Sequence, residues 1–524
     1  MFNNELWQKP AGGAGGGFYT YQIANSARFD GSTSVLTKTF GSAATTNDKF
    51  AISVWVKGHK TDGTWGVIAS AQQNDLMSLF TQARSDADPH AIGYASGNGG
   101  HNADSIALGR DPSAWRHIVW IYDSTQGTGA DRIKIYNNGE HWTTGSATYW
   151  GYIEGSGYPA QNEDSGWGKS GNANEIGRYQ YNGEGDYYGY MADFVSIDGT
   201  AVIGDFGETK NGVWIPKDPS GLTFGNNGFW LDFASSGDMG NDVSGNNNDW
   251  TIAGIAASDQ MLDSPTFNSD SNGGNFATWN PLNAGSYTTL TEGNLKATGT
   301  SSGASNPSGT FAMTSGKWYW EMSIVELVSG YPYPGLTVLG NIANSATTGG
   351  DIWAMRYDLA SGAVGGNSGA NITGLGTLTT VTTGVATVAT GDMVSFYLDC
   401  DNRKAWIAKN NTIPNSGNPA TGANPQWAWT TTPSNPITFT AQVYNGDDTI
   451  LNAGQDGTFA GTRTAGGNAD DTGYGNFFYD VPAGFLAMCS GNLPTAAAVD
   501  PAQTDTDYPQ KLFSPLLYTG TGSS

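Results

Sequence analysis

The sequence predicts an all-β protein made of two antiparallel β-sandwiches in tandem, joined by a Gly/Asn-rich connector. Three observations predict it. In residues 391–410, GDMVSFYLDCDNRKAWIAKN, the residues Val394, Phe396, Leu398 and Cys400 alternate with Met393, Ser395, Tyr397 and Asp399, the period-2 pattern of a strand with one oily face. Asp401 and Asn402 supply turn chemistry, and Lys404 to Lys409 returns carrying Trp406 and Ile407, which completes a hairpin. Gly is 75 of 524 residues, about twice the average share of ~7%, as many short strands and tight turns require. No window combines a 3.6-residue period, a cap and more than about ten residues, so helix is not expected.

In chain order, residues 1–25 read as a flexible tether, because Ala11 to Gly17 are entirely Gly and Ala. Strands begin at Ser26 with SARFDGSTSVLTKTF and FAISVWVKG. The run Trp115 to Asp123, WRHIVWIYD, is apolar on both faces and predicts a central strand. DRIKIYNNGE follows with an Asn138-Gly139 hairpin turn, then EIGR at 175–178 and GDYYGYMADFVSIDG at 185–199. Residues 206–274 form the connector, which either completes the first sandwich or makes a small bridging unit. The second module runs over 275–495, with GKWYWEMSI at 316–324 and GNFFYDVPAGFLAMCSGNLP at 475–494. Its 361–390 tract of Gly, Ala, Thr and Val predicts an extended hairpin of weak register, and 496–524 a tail that pairs with another surface.

Composition narrows function. Lys plus Arg is 23 against 47 Asp plus Glu, a formal net charge of −24, which repels phosphate backbones and anionic lipid and argues against nucleic acid and membrane partners. No stretch of 18 apolar residues and no secretory leader pattern occurs, so cytoplasmic synthesis without membrane insertion is the expectation. Cys400 and Cys489 sit in apolar runs outside any CxxC pair and read as buried thiols rather than a disulfide.

Reactive constellations are sparse. Glu163 with Asp164, and Glu184 with Asp186, are the nearest approaches to a glycosidase carboxylate pair, and both lie in loops where turn roles explain them. His59, His90, His101, His117 and His141 form no HExxH or clustered zinc pattern, and His117 reads as a packed strand residue. The GxSxG string at 299–303 lacks the strand and helix of a nucleophile elbow. Asp238, Asp242, Asn246, Asn248 and Asp249 crowd oxygen atoms as a Ca2+ site would, but the spacing fits no EF-hand and Asx turns explain it. No metal or cofactor is therefore predicted, and no enzymatic activity. The richest ligand candidate is the aromatic set Tyr149, Trp150, Tyr152, Tyr158, Trp167, Tyr179, Tyr181 and Tyr187, spread among Gly, Ser, Asn and Asp. Rings on such loops stack on sugars while the polar neighbours bind hydroxyls. The same aromatics would equally cover the end of a sandwich or bury against a second subunit, and the sequence leaves both readings open.

The motif order over 26–205 resembles the concanavalin A-like jelly roll of the laminin-G type, and the marks over 275–495 resemble the SPRY family. With the connector GDFGETKNGVWIPKDPSG…GNDVSGNNND between them, nearly the whole chain resembles a family of large Gly-rich virion proteins of tailed bacteriophages. The resemblance implies a tail-fibre or capsid-appendage protein located in the virion, a homotrimer bound to other virion proteins and gripping host-surface polysaccharide. Its rivals are a purely structural head-decoration or collar protein and, last, a glycan depolymerase.

Overall fold

The computed structural model describes residues 18–58, 66–73, 76–83, 91–96, 101–109, 111–142, 144–146, 157–179, 185–267, 271–300, 303–328, 333–339, 355–358, 363–366, 371–372, 375–380 and 387–493. Among these the chain is all-β: strands are joined by turns, and the only helical elements are three-residue 3-10 turns. No helix among them is long and apolar enough to cross a membrane.

The first sandwich pairs two eight-stranded sheets. One runs Glu140–Trp142, Ile133–Asn137, Arg116–Asp123, Lys49–Lys57, Tyr188–Ile197, Ser26–Asp30, Gln260–Met261, with Phe229–Leu231 also on Tyr188–Ile197. The other runs Thr144–Ser146, His101–Leu108, Ala91–Ser96, Leu76–Ala83, Gly66–Gln73, Ala173–Ile176, Val35–Thr39, Thr251–Ala253. The connector thus completes the first sandwich: its strands pair with both sheets, and Phe229, Leu231, Phe233, Met239 and Trp250 join the core between them. At the Asn138-Gly139 turn both residues adopt positive φ, 49° and 77°, the type I′ geometry that fits strand twist.

The predicted two-faced strand Arg116–Asp123 is central and buried. Ile118, Trp120 and Tyr122 enter the sandwich core. Val119, on the opposite face, lies with Ala51, Val195 and Ile197 under Ala201 and, from the connector, Phe206 and Phe224. His117 stacks on Trp55 (4.6 Å) and Trp214 (6.0 Å). Trp214 Nε1 donates to its Nδ1 (2.9 Å), which leaves Nε2–H to donate to Ser53 Oγ (2.7 Å). Burial pushes His117 down to about 3, so the imidazole is neutral and structural, as its strand position predicts.

The second sandwich pairs a ten-stranded sheet, centred on Lys317–Glu326 and Met393–Asp399, with the four strands Ala363–Gly366, Met355–Asp358, Tyr333–Val338 and Ile437–Gln442. The 391–410 hairpin forms with Val394 facing Lys409 and Asp399 facing Lys404. Val394, Phe396, Leu398 and Cys400 face the inter-sheet core. The mixed face is buried too: Tyr397 and Trp406 lie under Tyr474, Phe477 and Phe485 of the 474–489 segment. Ala363–Gly366 pairs with Met355–Asp358, and Asn371–Ile372 with Gly376–Thr380, so the 361–390 tract splits between two pairings instead of making one long hairpin. Both cysteines are buried without a disulfide, and burial pushes the Cys400 thiol up to about 12.

The sandwiches meet through their outer faces. Trp55, Tyr190 and Ala192 of the first pack with Leu295, Met393 and Ile450 of the second. Buried charge crosses this seam. Arg28 reaches Asp259 (2.6 Å), Asp456 (3.0 Å) and Glu292 (3.4 Å). Lys57 bonds Asp263 (2.5 Å) and the Phe276 carbonyl (2.7 Å), and Trp115 Nε1 donates to Asp263 (2.7 Å). Residues 18–25, the end of the predicted tether, are packed: Phe18 and Tyr19 lie against Val213, Ile215 and Phe267, and Tyr21 against Trp230. Residues 1–17 and the tail from 494 lie outside the described residues.

Candidate functional site

Both faces of the first sandwich's inner sheet are covered, by the core on one side and by connector and second sandwich on the other. The other sheet, containing Ala173–Ile176, turns its second face away from the core, and that face is only partly exposed: Val67, Ser70 and Ala95 are buried, while Glu175, Arg178, Tyr179 and Asp186 are half-buried. Alternation along that four-residue strand sends Ile176 into the core and Glu175 outward, between Thr37 on one neighbour and Ser70 on the other. The segment after the strand runs beside this face. Ser70 Oγ donates to the Arg178 carbonyl (2.8 Å), and the Val67 amide to the Gly185 carbonyl (2.9 Å). Tyr179, half-buried, rests on Val67 and Ala95.

The site's charges are unevenly satisfied. Arg178 Nε bonds Asp186 Oδ1 (2.6 Å), and its Nη2 donates to the Ser32 carbonyl (2.8 Å). Glu175 is half-buried and its Oε2 has no hydrogen-bond partner. Burial raises its pKa, Arg178 opposes the rise and Asp186 adds to it. Glu175 Oε2 is itself shielded from solvent, so the atoms a ligand could meet here are those of the half-buried Tyr179 ring and the Arg178–Asp186 pair, a ring face beside charged groups that suits a ligand rich in hydroxyl groups.

The predicted aromatic set is not one patch. Tyr149, Trp150, Tyr152 and Tyr181 lie outside the described residues. Tyr179 is on the face just described, and Tyr158 is half-buried at the rim of the core, beside Gly129. Trp167 and Tyr187 correct the expectation. Trp167, 4% exposed, packs with Phe80, Phe194, Phe229 and Trp250 and donates from Nε1 to Ser196 Oγ (3.0 Å). Tyr187 packs edge-on to Phe29 in the same core. A sugar cannot reach either ring; each is worth more to the fold as buried apolar area. Glu175 and Arg178, read in the sequence only as parts of a strand motif, are the residues it missed.

Of the weighed carboxylates Glu184 lies outside the described residues, and the other three are engaged, Asp164 with Lys169 (2.9 Å). Glu163 accepts from Ser96 Oγ (2.7 Å) and the Ala160 amide (2.7 Å) and lies 2.9 Å from His101 Nδ1; Asp186 holds Arg178. In the 238–249 loop, Asp242 accepts from the amides of Trp230, Ser244 and Asn248, and Asp249 from that of Asp242. This is Asx-turn chemistry, with each of those carboxylates already serving backbone donors. Among the described residues no group of three or more His, Cys, Asp or Glu is arranged to hold a metal ion.

No protein family matches the sequence, and no curated protein does. Solved structures similar to parts of the chain include the heptameric SAP-like pentraxin of Limulus polyphemus, at 15% identity over 35% of this chain and 81% of that one, TM-score 0.25. The SPRY domain of human HERC1 is similar at 17% identity over 33% of this chain and 96% of that domain, TM-score 0.25. A candidate carbohydrate-binding protein from Bacteroides ovatus is similar at 18% identity over 45% of this chain and 60% of that one, TM-score 0.31.

Proposed function

We propose that this chain is a virion appendage protein of a tailed bacteriophage, a tail fibre or capsid appendage, that binds host-surface glycans on the outer face of its first sandwich and carries out no catalysis. The virion assignment is supported by the sequence resemblance, above all that of the connector. The binding role is carried by one observation: the half-buried Tyr179 ring and the partly exposed Arg178–Asp186 pair lie beside Glu175 at the outer face of this sheet. The ring offers a stacking surface and the charged groups address hydroxyls. Trimeric assembly, the arrangement we favour for a fibre, would multiply weak sites by avidity. The test is glycan-array and host-adsorption binding of the wild type, Tyr179→Ala and Glu175→Gln. Each variant is expected to bind about tenfold more weakly, the loss of one stacking or charge-assisted contact, with an unchanged melting temperature. Adsorption that ignores both substitutions removes this face from the site.

A purely structural role as a head-decoration or collar component is the second reading, favoured by the burial of Trp167 and Tyr187. Protein that never binds cells, together with particles that fall apart without it, would establish that rival. A depolymerase ranks last because Glu163 and Asp186 are both engaged; reducing-sugar release abolished by one carboxylate substitution would reverse the ranking.

A further inference from the structure

Lys57 closes the strand Lys49–Lys57, and its side chain, 1% exposed, meets a wholly buried Asp263. Its Nζ lies 2.5 Å from Asp263 Oδ2 and 2.7 Å from the Phe276 carbonyl oxygen. The other carboxyl oxygen, Oδ1, accepts from Trp115 Nε1 (2.7 Å). The Tyr190 ring covers the contact at 5.6 Å from Nζ, and Trp115 and Tyr190 both belong to the apolar cluster that fills the seam. The two backbones are fixed as well. Lys57 is in register with Tyr190 on the neighbouring strand, and the Asp263 carbonyl accepts from Ser26 Oγ (2.5 Å). A primary amine and a carboxyl group, 206 positions apart in the chain, are thus held in contact with water excluded. As an ion pair they would both forgo hydration, a large cost at this depth. Burial pushes Lys57 down and Asp263 up, each against the attraction of the other. Both shifts favour passage of the ammonium proton to the carboxylate, which leaves a neutral amine beside a neutral acid.

We propose that Lys57 and Asp263 condense to an intramolecular amide, a covalent cross-link between the first sandwich and the segment that leads into the second. Nζ attacks Cγ, and the electron pair of the carbonyl bond moves onto Oδ1. The Trp115 N–H, already at hydrogen-bond distance, stabilises the charge that develops there. One Nζ proton then passes to Oδ2, which already carries the acid proton; the Cγ–Oδ2 bond breaks and a water molecule leaves. Atoms and charge balance within the pair, so no oxidant or co-reactant is needed. In bulk water the reaction is opposed because amine and acid ionise. Here desolvation removes that opposition, and fixed contact supplies an effective concentration that reaches about 10⁵–10⁸ M in well-oriented intramolecular reactions. The cross-link goes beyond glycan binding and stands independently of it.

The test is mass spectrometry of the full chain, purified folded and then unfolded in denaturant, and of its tryptic peptides. Wild type is expected to be lighter than its sequence by one water. Trypsin does not cut after an acylated lysine, so the digest should contain a branched peptide that carries both Lys57 and Asp263. Lys57→Met and Asp263→Ala should each show the full sequence mass and no branched peptide. Wild type at full mass, with cleavage after Lys57, overturns the proposal. Loss of water without a branched peptide overturns it too, because a cyclic imide at an Asp-Gly step such as Asp30-Gly31 loses the same mass. A branched peptide that persists in Lys57→Met places the link elsewhere and overturns the assignment. Should the variants not fold, the wild-type digest decides alone, since fragmentation of the branched peptide locates the two joined residues.

Discussion

Replacing Arg28 by alanine tests whether the two sandwiches are fastened by buried charge. The side chain is 1% exposed and faces Asp259 of the connector, and Asp456 and Glu292 of the second sandwich. Asp456 is almost fully buried, so the substitution strands a carboxylate that cannot rehydrate without opening the seam; Glu292, 29% exposed, is partly screened and contributes less. Removing one partner of a buried pair costs about 3–5 kcal/mol. With an unfolding entropy of about 2.1 cal/mol/K per residue, 524 residues give about 1.1 kcal/mol/K, so the melting temperature should fall by about 3–5 K if the chain melts as one unit. Scanning calorimetry reads both the shift and the shape of the peak, and separation into two transitions would express the same loss of coupling. A single peak displaced by less than about 1 K, below ~1 kcal/mol by the same conversion, would refute the reasoning.

Two further outcomes follow from buried groups of the first sandwich. Burial raises Asp193 to about 7, against the hydrogen bonds from Trp230 Nε1 and Tyr21 OH. The unfolded value is about 3.9, so the folded chain holds an extra proton between pH ~4 and ~7, and stability falls as pH rises through that window. The loss approaches about 4 kcal/mol at ~1.4 kcal/mol per pKa unit, and Asp193→Asn, which keeps an oxygen acceptor, should flatten the slope; parallel pH–melting curves would contradict this. Trp167→Ala should cost about 3–5 kcal/mol in urea unfolding, as for other buried aromatics, and leave the glycan affinity of the folded fraction unchanged. A selective loss of affinity would return Trp167 to the binding site.

The legible parts of this fold are those whose cause is local. Alternation in Met393–Asp399 fixes which side chains face the inter-sheet core, and the doubly apolar run Arg116–Asp123 announces a strand covered on both faces. What covers it is set by residues far away in sequence, Phe206 and Phe224 over Val119 and Trp214 over His117, and no local pattern names them. Trp167 and Tyr187 misled for the same reason. Their Gly- and Ser-rich neighbours mark a loop, but their burial is decided by Phe194, Phe229, Trp250 and Phe29, all brought in by topology. Glu175 went unnoticed because a four-residue strand offers too few alternations to expose an outward carboxylate.

The face-to-face seam has a mechanical consequence. Two modules joined by a linker swivel, and a tug on one is absorbed as slack before the other feels it. Here tryptophan, tyrosine and interior charge lock sheet upon sheet, so the pair forms a stiff lever. Torque applied to one module would pass through the packed joint to the other.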